Sequence, residues 1–193
     1  MKKYFKRALI TIKQQGILKV LSRKLNWVRY LYVRSMTFNK RDFEKWRPLR
    51  NKYKGKRVFL IGNGPSLNEL PLYLLDNEYT MCFNRFNIMS ERLNWDPTFY
   101  MCVDNLVLTD LIPEINSITQ NSSYCFLPKI HRRGEKFHKK IKEDSKIYWL
   151  KQYGSREIST RLPKVYSGPS VIYEGLQVLN YLGFHEIILV GVD

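Results

Sequence analysis

The chain has 193 residues, of which 44% are hydrophobic and 14% aromatic, enough for a hydrophobic core. Its length suits one domain with an appendage. No window approaches the roughly 18 apolar residues of a membrane-spanning helix, and the basic start of the chain lacks the apolar core of a signal peptide. The three cysteines have neither metal-ligand nor disulfide spacing, which predicts a reducing, cytoplasmic compartment.

The net charge of +16 is unevenly distributed along the chain. Residues 1–57 contain 19 Lys and Arg against two acidic residues, whereas residues 58–193 carry a net charge of −1. Such an asymmetry suggests that the N-terminal part contacts a polyanionic surface.

Apolar residues recur with helical spacing over 4–34, with one interruption at Gly16, and basic residues fill many of the positions between them. This pattern is typical of a helical arm that lies on an anionic membrane. An arm that packs on the body, or on a second copy of the chain in a homo-oligomer, fits equally well. Nucleic acid is a weaker interpretation because no recognition motif accompanies the charge. The polar stretch 35–57 is predicted to be a linker, which gives an arm over 1–55 and a domain over 56–193.

The stretch 56–69 predicts a strand, a tight glycine turn and the start of a helix. The apolar run 58–61 is typical of a buried parallel strand, and Gly62-Asn63-Gly64-Pro65-Ser66 follows it. Ser66 and Glu69 have the spacing of a capping box, which predicts a helix with Ser66 as its N-cap. Backbone N–H groups at such a turn suit a phosphate. The third glycine of the dinucleotide fingerprint and the lysine of a Walker loop are both absent, so an ordinary strand-to-helix connection remains an alternative.

Strands and helices are predicted to alternate along the rest of the chain. The predicted strands are 79–83, 98–103, 123–127, 147–150 and 185–190, and the predicted helices are 86–93, 106–118 (broken by Pro113) and 171–182 (closed by Gly183). The basic stretch 130–144 is predicted to be a mobile flap or a surface helix. This order predicts an α/β fold with a doubly wound, Rossmann-like parallel sheet.

Polar residues follow the predicted strands at the points where those strands end. Asn63, Asn84, Asp104 and Asp193 each come directly after a strand or its closing turn, and Ser170 stands at a helix start. Ligands of parallel α/β sheets bind at the carboxyl ends of the strands, so these residues are predicted to share one edge. The alternatives are that the asparagines only form turns and that Asp104 and Ser170 only cap helices.

The motif set resembles the MptE-like family, whose namesake is a 6-hydroxymethylpterin diphosphokinase. It consists of Ile61-Gly62-Asn63-Gly64-Pro65-Ser66-Leu67, Asn84, Pro97 with Val103-Asp104, Ser170-Val171, Leu182-Gly183-Phe184 and the closing Ile187-Ile188-Leu189-Val190-Gly191-Val192-Asp193. The opening motif, the asparagine after the second strand and the closing Gly-x-Asp are also similar to the family 42 sialyltransferases. The resemblance covers about residues 56–193 and leaves out the basic arm.

The resemblance implies a role for each matching residue. It implies that Gly62, Asn63, Gly64, Pro65 and Ser66 hold the phosphate or ribose of a nucleotide, and that Asn84, Asp104, Ser170 and Asp193 contact the donor. Asn84 and Asp104 are the candidates for catalytic residues. In the sialyltransferases the histidine base lies beyond the closing Gly-x-Asp, so this chain is expected to be a fragment, and none of its histidines matches that base.

Three hypotheses follow for the function. The first is a glycosyltransferase of bacterial surface-glycan biosynthesis that uses a nucleotide sugar, with a glycan or lipid-linked acceptor; without an Asp-x-Asp motif, a CMP-type donor and no metal are expected. The second is a diphosphokinase that moves diphosphate from ATP with Mg²⁺, held by Asp104 and Asp193. The third is a non-catalytic module on the inner face of the membrane.

Overall fold

Seven parallel strands form one sheet in the computed structural model, which describes residues 16–90, 93–131, 134–154 and 157–193. Their order is β6-β5-β4-β3-β2-β1-β7. The strands are β1 (Arg57–Ile61), β2 (Thr80–Phe83), β3 (Phe99–Met101), β4 (Tyr124–Pro128), β5 (Ile147–Gly154), β6 (Lys164–Ser167) and β7 (Glu186–Val190). The predicted α/β fold with a Rossmann-like parallel sheet is confirmed.

Six α-helices belong to the described residues. They are α1 (Ile17–Thr37), α2 (Lys40–Trp46), α3 (Asn87–Ser90), α4 (Asn105–Leu111), α5 (Ile115–Gln120) and α6 (Val171–Leu182). The last runs from edge strand β6 to β7 and ends, as predicted, at Gly183, whose φ of 87° is in the left-handed region. Because β7 pairs with β1, this crossover places the end of the chain beside the glycine turn.

Both faces of the central strands β1 to β4 are buried, whereas edge strand β7 is partly exposed, with Leu189 51% exposed. On one face, Leu60, Met81 and Phe126 pack with Val178 and Leu182 of α6. On the other face, two further clusters lie under the helices and loops that follow β1 to β4. Two-sided burial explains why these strands read as short continuous apolar runs in the sequence.

The predicted strands are found, with two differences at the far edge of the sheet. β5 continues to Gly154, beyond the predicted end at 150, and β6 lies within a stretch for which no strand is predicted. β6 has four residues and pairs with β5 alone, so its sequence needs little apolar patterning.

The prediction of an α-helix directly after the glycine turn is wrong. Residues Pro65–Glu69 form a short 3₁₀ helix whose N-cap position is Gly64, and no side chain caps it. Leu70 is extended (φ −94°, ψ 141°), and Pro71 separates this turn from a second 3₁₀ turn at Leu72–Leu75. A proline disfavours helical geometry in the residue before it, here Leu70. No α-helix therefore forms here, although the spacing of the leucines is helical.

The segment predicted to be a mobile flap or a surface helix is packed against the sheet. Phe137 and Ile141 are buried in a core cluster, and the described part of the segment contains a 3₁₀ turn, Phe137–Lys139, but no α-helix. Residues 132 and 133 lie outside the described residues. Basic residues surround Phe137 and Ile141 in the sequence and conceal the apolar spacing of these two residues.

The N-terminal part of the chain contributes to the core. The predicted helix after Gly16 is confirmed as α1, and the predicted helix before it lies outside the described residues. Trp46, Leu49 and Tyr53, in the stretch that the sequence predicts as a linker, are each less than 10% exposed. No helix in the described ranges is long and apolar enough to cross a membrane.

Candidate functional site

The glycine turn after β1 packs directly against the loop after β7. The Gly62 N–H donates to the Val190 carbonyl at 2.8 Å, and the Gly64 N–H donates to the Gly191 carbonyl at 2.9 Å. A Cβ on Gly62 would lie 2.1 Å from the Gly191 oxygen, and a Cβ on Gly64 would lie 2.0 Å from an Asp193 carboxylate oxygen. Both glycines are therefore required for the close approach of the two loops.

Ser66 and Asp193 join the same two loops through side chains. The Ser66 hydroxyl donates to Asp193 Oδ1 at 2.6 Å, and the Ser66 N–H lies 3.4 Å from Oδ2. These hydrogen bonds hold the pKa of the Asp193 carboxyl below its usual value. The N–H groups of Gly62, Gly64 and Ser66 thus have partners within the chain, and the turn is braced by β7.

Asn84 follows β2 in an unusual backbone conformation. Its φ of 52° is in the left-handed region, and its carbonyl accepts a hydrogen bond of 2.5 Å from the Tyr100 hydroxyl. Its side-chain Oδ1 is buried without a hydrogen-bond partner among the described residues. Asn63 lies next to it, because the Asn63 amide donates to the Phe83 carbonyl at 3.3 Å. A strained residue with an unsatisfied buried acceptor is a frequent feature of ligand sites.

Asp104 and Ser170 are helix caps, as the alternative interpretation proposes. Asp104 Oδ1 accepts from the N–H groups of Leu106 (2.8 Å) and Val107 (3.2 Å) at the start of α4. The Ser170 hydroxyl accepts from Ile172 N–H at 3.3 Å at the start of α6. Each cap fixes its side chain at the carboxyl edge of the sheet, so capping and ligand contact are compatible.

Three of the predicted site residues line one cavity of about 320 Å³ at this edge, a size at the lower end of small-molecule sites. The lining consists of Asn84, Val103, Asp104, Gly168, Pro169, Ser170, Val171 and Glu174. Gly62, Gly64, Ser66 and Asp193 form the separate contact described above, and Pro65 starts the 3₁₀ turn. A larger cavity, of about 460 Å³, is lined by Phe86 and Asn87, which follow β2, and by residues such as Pro97 and Ser122, which precede β3 and β4.

Glu174 also lines the cavity, although no motif in the sequence marks it. It lies on α6 and is only 3% exposed. Burial raises the pKa of its carboxyl above the ordinary value. Hydrogen bonds from Ser167, Gln152 and Gly168 lower this pKa, but their effect is smaller than that of burial. The available signal is that Glu174 is the one charged residue in an otherwise apolar or neutral helix.

A metal ion would find few ligands here. The described residues contain no group of three or more His, Cys, Asp or Glu placed to hold one. A Mg²⁺ ion that arrives with a nucleotide needs one or two protein carboxylates, and Asp104 is available in the cavity for that role.

Comparison with known proteins identifies the family. The family described as 6-hydroxymethylpterin diphosphokinase MptE-like matches residues 32–193. The chain belongs to the MptE-like family. The match begins within α1 and so includes α2 and Trp46, further toward the N-terminus than the resemblance found from the motifs. Neither the curated proteins nor the solved structures contain a significant match. Membership indicates a transferase-like or diphosphokinase-like function.

Proposed function

We propose that this MptE-like chain is a transferase that binds a nucleotide-activated donor in the cavity at the carboxyl edge of the sheet. The more specific proposal is a glycosyltransferase of bacterial surface-glycan biosynthesis that transfers a sugar to a glycan or lipid-linked acceptor. The observation that carries the proposal is that Asn84, Asp104 and Ser170, which come from three separate loops, line one cavity. Ligands of parallel α/β sheets bind at this edge.

The start of α6 suits the donor phosphate. Gly168, Pro169, Ser170 and Val171 line the cavity immediately before and at the first turn of this twelve-residue helix. The partial positive charge at a helix N-terminus attracts an anion. Displacement at the anomeric carbon leaves negative charge on the departing nucleotide, and the same helix end would stabilise that charge in the transition state.

The charge of the lining favours sugar transfer over diphosphate transfer. Among the lining residues in the described chain none is Lys or Arg, while Asp104 and Glu174 are both acids. Such a surface repels the several charges of a triphosphate unless a metal ion neutralises them. A donor activated by one phosphate, as in a CMP-sugar, meets less repulsion.

The family description supports a second candidate, transfer of diphosphate from ATP to a small pterin-like hydroxyl compound. In that case Asp104 would contribute to holding Mg²⁺ on the nucleotide. Asp193 would be a weaker ligand, because its two carboxylate oxygens already accept hydrogen bonds from Ser66.

A thermal-shift experiment separates the two candidates. CMP or a CMP-sugar should stabilise the chain without a metal, by about 2.7 kcal/mol at a concentration one hundred times its dissociation constant. Stabilisation by ATP together with Mg²⁺, and by no CMP compound, would support the diphosphokinase. A folded chain that responds to neither would contradict the transferase proposal and favour a non-catalytic module.

The substitution Asn84→Gly tests whether the cavity is the binding site. Glycine accepts the left-handed φ of Asn84 and removes only the amide, so the stability should stay within about 1 kcal/mol of wild type. Nucleotide affinity or turnover should fall at least tenfold, measured by calorimetry and by product release. Asn51→Gly is the matched control, since Asn51 is also left-handed (φ 59°) and is not among the cavity residues. Equal losses in both variants would contradict the assignment.

We also propose that the arm holds the protein on the inner face of the membrane. Exposed apolar side chains, each more than half exposed, recur along α1 at helical spacing: Leu21, Leu25, Val28, Tyr32 and Met36. The sequence of α1 contains five basic residues and no acidic residue. An apolar stripe combined with positive charge fits an anionic lipid surface, where each basic residue contributes about 1 kcal/mol.

The arm proposal predicts that the chain sediments with vesicles containing phosphatidylglycerol and is released above about 0.5 M salt, where screening is short. Leu25→Glu with Met36→Glu should weaken sedimentation at least tenfold without changing thermal stability, because both side chains are about 70% exposed. Tyr73→Glu with Leu74→Glu, equally exposed and outside the arm, is the control. If the wild type does not sediment with vesicles and the arm variant changes the oligomeric state, the membrane proposal is wrong and α1 packs against another copy of the chain.

A further inference from the structure

Glu174 is an acid buried in the first turn of α6, and among the described residues no cation contacts its carboxyl. The described groups that contact its carboxyl are neutral: the Gln152 side chain from β5, the Ser167 hydroxyl from β6 and the Gly168 backbone. Asp104, on the loop after β3, is the other acid on the cavity wall. A buried carboxyl without a positive partner opposes folding when it is charged. A neutral side chain would serve packing better, so a functional role for the acid is favoured.

The hydrogen bonds around Glu174 fix its orientation. Gln152 Nε2 lies 3.4 Å from Glu174 Oε1 and 3.2 Å from the Val103 carbonyl, so one amide ties the carboxyl to the end of β3. Gln152 is itself 5% exposed and cannot turn away into solvent. The carboxyl is therefore held in place at the wall of the cavity rather than free to rotate.

Asn84, another residue of the cavity lining, has an acceptor without a partner in the described structure. Asn84 Oδ1 is buried and unbonded on a different loop that lines the same space. A buried acceptor beside the cavity is satisfied best by a ligand that brings hydrogen-bond donors, such as the hydroxyl groups of a sugar or of an alcohol.

We propose that Glu174 is the general base of the transfer reaction and takes the proton from the attacking acceptor hydroxyl. The acceptor oxygen forms a bond to the anomeric carbon of the donor, and the bond from that carbon to the phosphate oxygen breaks. The nucleotide leaves with the electron pair of the broken bond, and the hydroxyl proton moves to a Glu174 carboxylate oxygen. This assignment rests on the proposed transferase function.

The environment of Glu174 suits this task. Because burial raises its pKa, the carboxylate binds a proton more strongly than an ordinary glutamate, and a stronger base removes a hydroxyl proton more effectively. The base must be ionised to act. Turnover should therefore rise with pH through a value above the 4.5 of an ordinary glutamate carboxyl and then level off.

The experiment measures release of CMP from CMP-N-acetylneuraminic acid with water as the acceptor, between pH 5 and pH 9, with subtraction of the uncatalysed rate. Glu174→Gln should lower the maximal rate at least 100-fold, within the range of 10²–10⁴ for a general base. It should lose the rise of the rate with pH, and CMP affinity measured by calorimetry should change less than threefold. Glu157→Gln, an exposed glutamate outside the cavity lining, should behave as wild type.

The outcomes separate this assignment from the proposed function. If Glu174→Gln releases CMP at the wild-type rate, or folds but loses CMP binding, the assignment to a general base is overturned and the donor site stands. Wild type that binds CMP but releases none at any pH overturns the assignment in the same way. Wild type that does not bind CMP at all contradicts the proposed glycosyl transfer itself, and the assignment falls with it.

Discussion

The variant Gly62→Ala should lose roughly 2–4 kcal/mol of folding free energy, because the added methyl group meets backbone rather than a side chain. Its Cβ would lie 2.1 Å from the Gly191 carbonyl oxygen and 3.0 Å from the Gly191 carbonyl carbon. Relief requires the loops after β1 and β7 to separate. Separation weakens the hydrogen bonds from Gly62 to Val190 and from Gly64 to Gly191, which close the pairing of the two strands.

Urea denaturation monitored by circular dichroism measures this loss. The urea concentration at the midpoint of unfolding should fall, while the dependence of the unfolding free energy on urea concentration stays the same. Gly154→Ala is the control, because a Cβ at Gly154 meets nothing within 4 Å. Gly64→Ala should have an intermediate effect, since its nearest contact is the Asp193 carboxylate, which can move if its hydrogen bonds to Ser66 break, and the Gly191 carbonyl oxygen is farther away at 2.9 Å. A Gly62→Ala variant as stable as Gly154→Ala would show that the glycine turn is not packed against β7.

The sequence predicts the parts of the fold whose signals are local. The apolar run of β1, the helix 171–182 and its glycine cap are each encoded within a few residues, and the structure has all three. Polar residues at strand ends predict one shared edge for five residues, because parallel strands have a common carboxyl edge. Three of the five, Asn84, Asp104 and Ser170, line one cavity.

The features that the sequence does not predict depend on contacts between distant residues. The hydroxyl of Ser66 fits a capping box by spacing, yet it bonds Asp193, more than one hundred residues away. In the sequence, Glu174 belongs to no motif that separates it from an ordinary helix residue. Its partners Gln152 and Ser167 lie on β5 and β6 and reach it only in the folded chain. Such partners cannot be read from local spacing, since long-range pairing decides which side chains meet.

Trp46 provides the largest effect expected from a side chain in the N-terminal part. It is 1% exposed, and its ring stacks on Phe126 with centroids 5.3 Å apart. Its indole N–H donates to the Trp149 carbonyl at 3.2 Å, and its own carbonyl accepts from the Tyr181 hydroxyl at 3.0 Å. One residue of α2 therefore joins β4, β5 and α6.

Trp46→Ala should cost about 3–5 kcal/mol, the usual range for removal of a buried aromatic side chain, because the sheet cannot close over the space that is left. Trp27→Ala, on α1, should cost less than about 0.5 kcal/mol, since that ring is 62% exposed. Chemical denaturation of both variants makes the comparison, with nucleotide binding as a check that the cavity survives. Equal stabilities would mean that the family domain is held together without α2. A large difference would place its structural boundary before Trp46, in agreement with a family match that starts at residue 32.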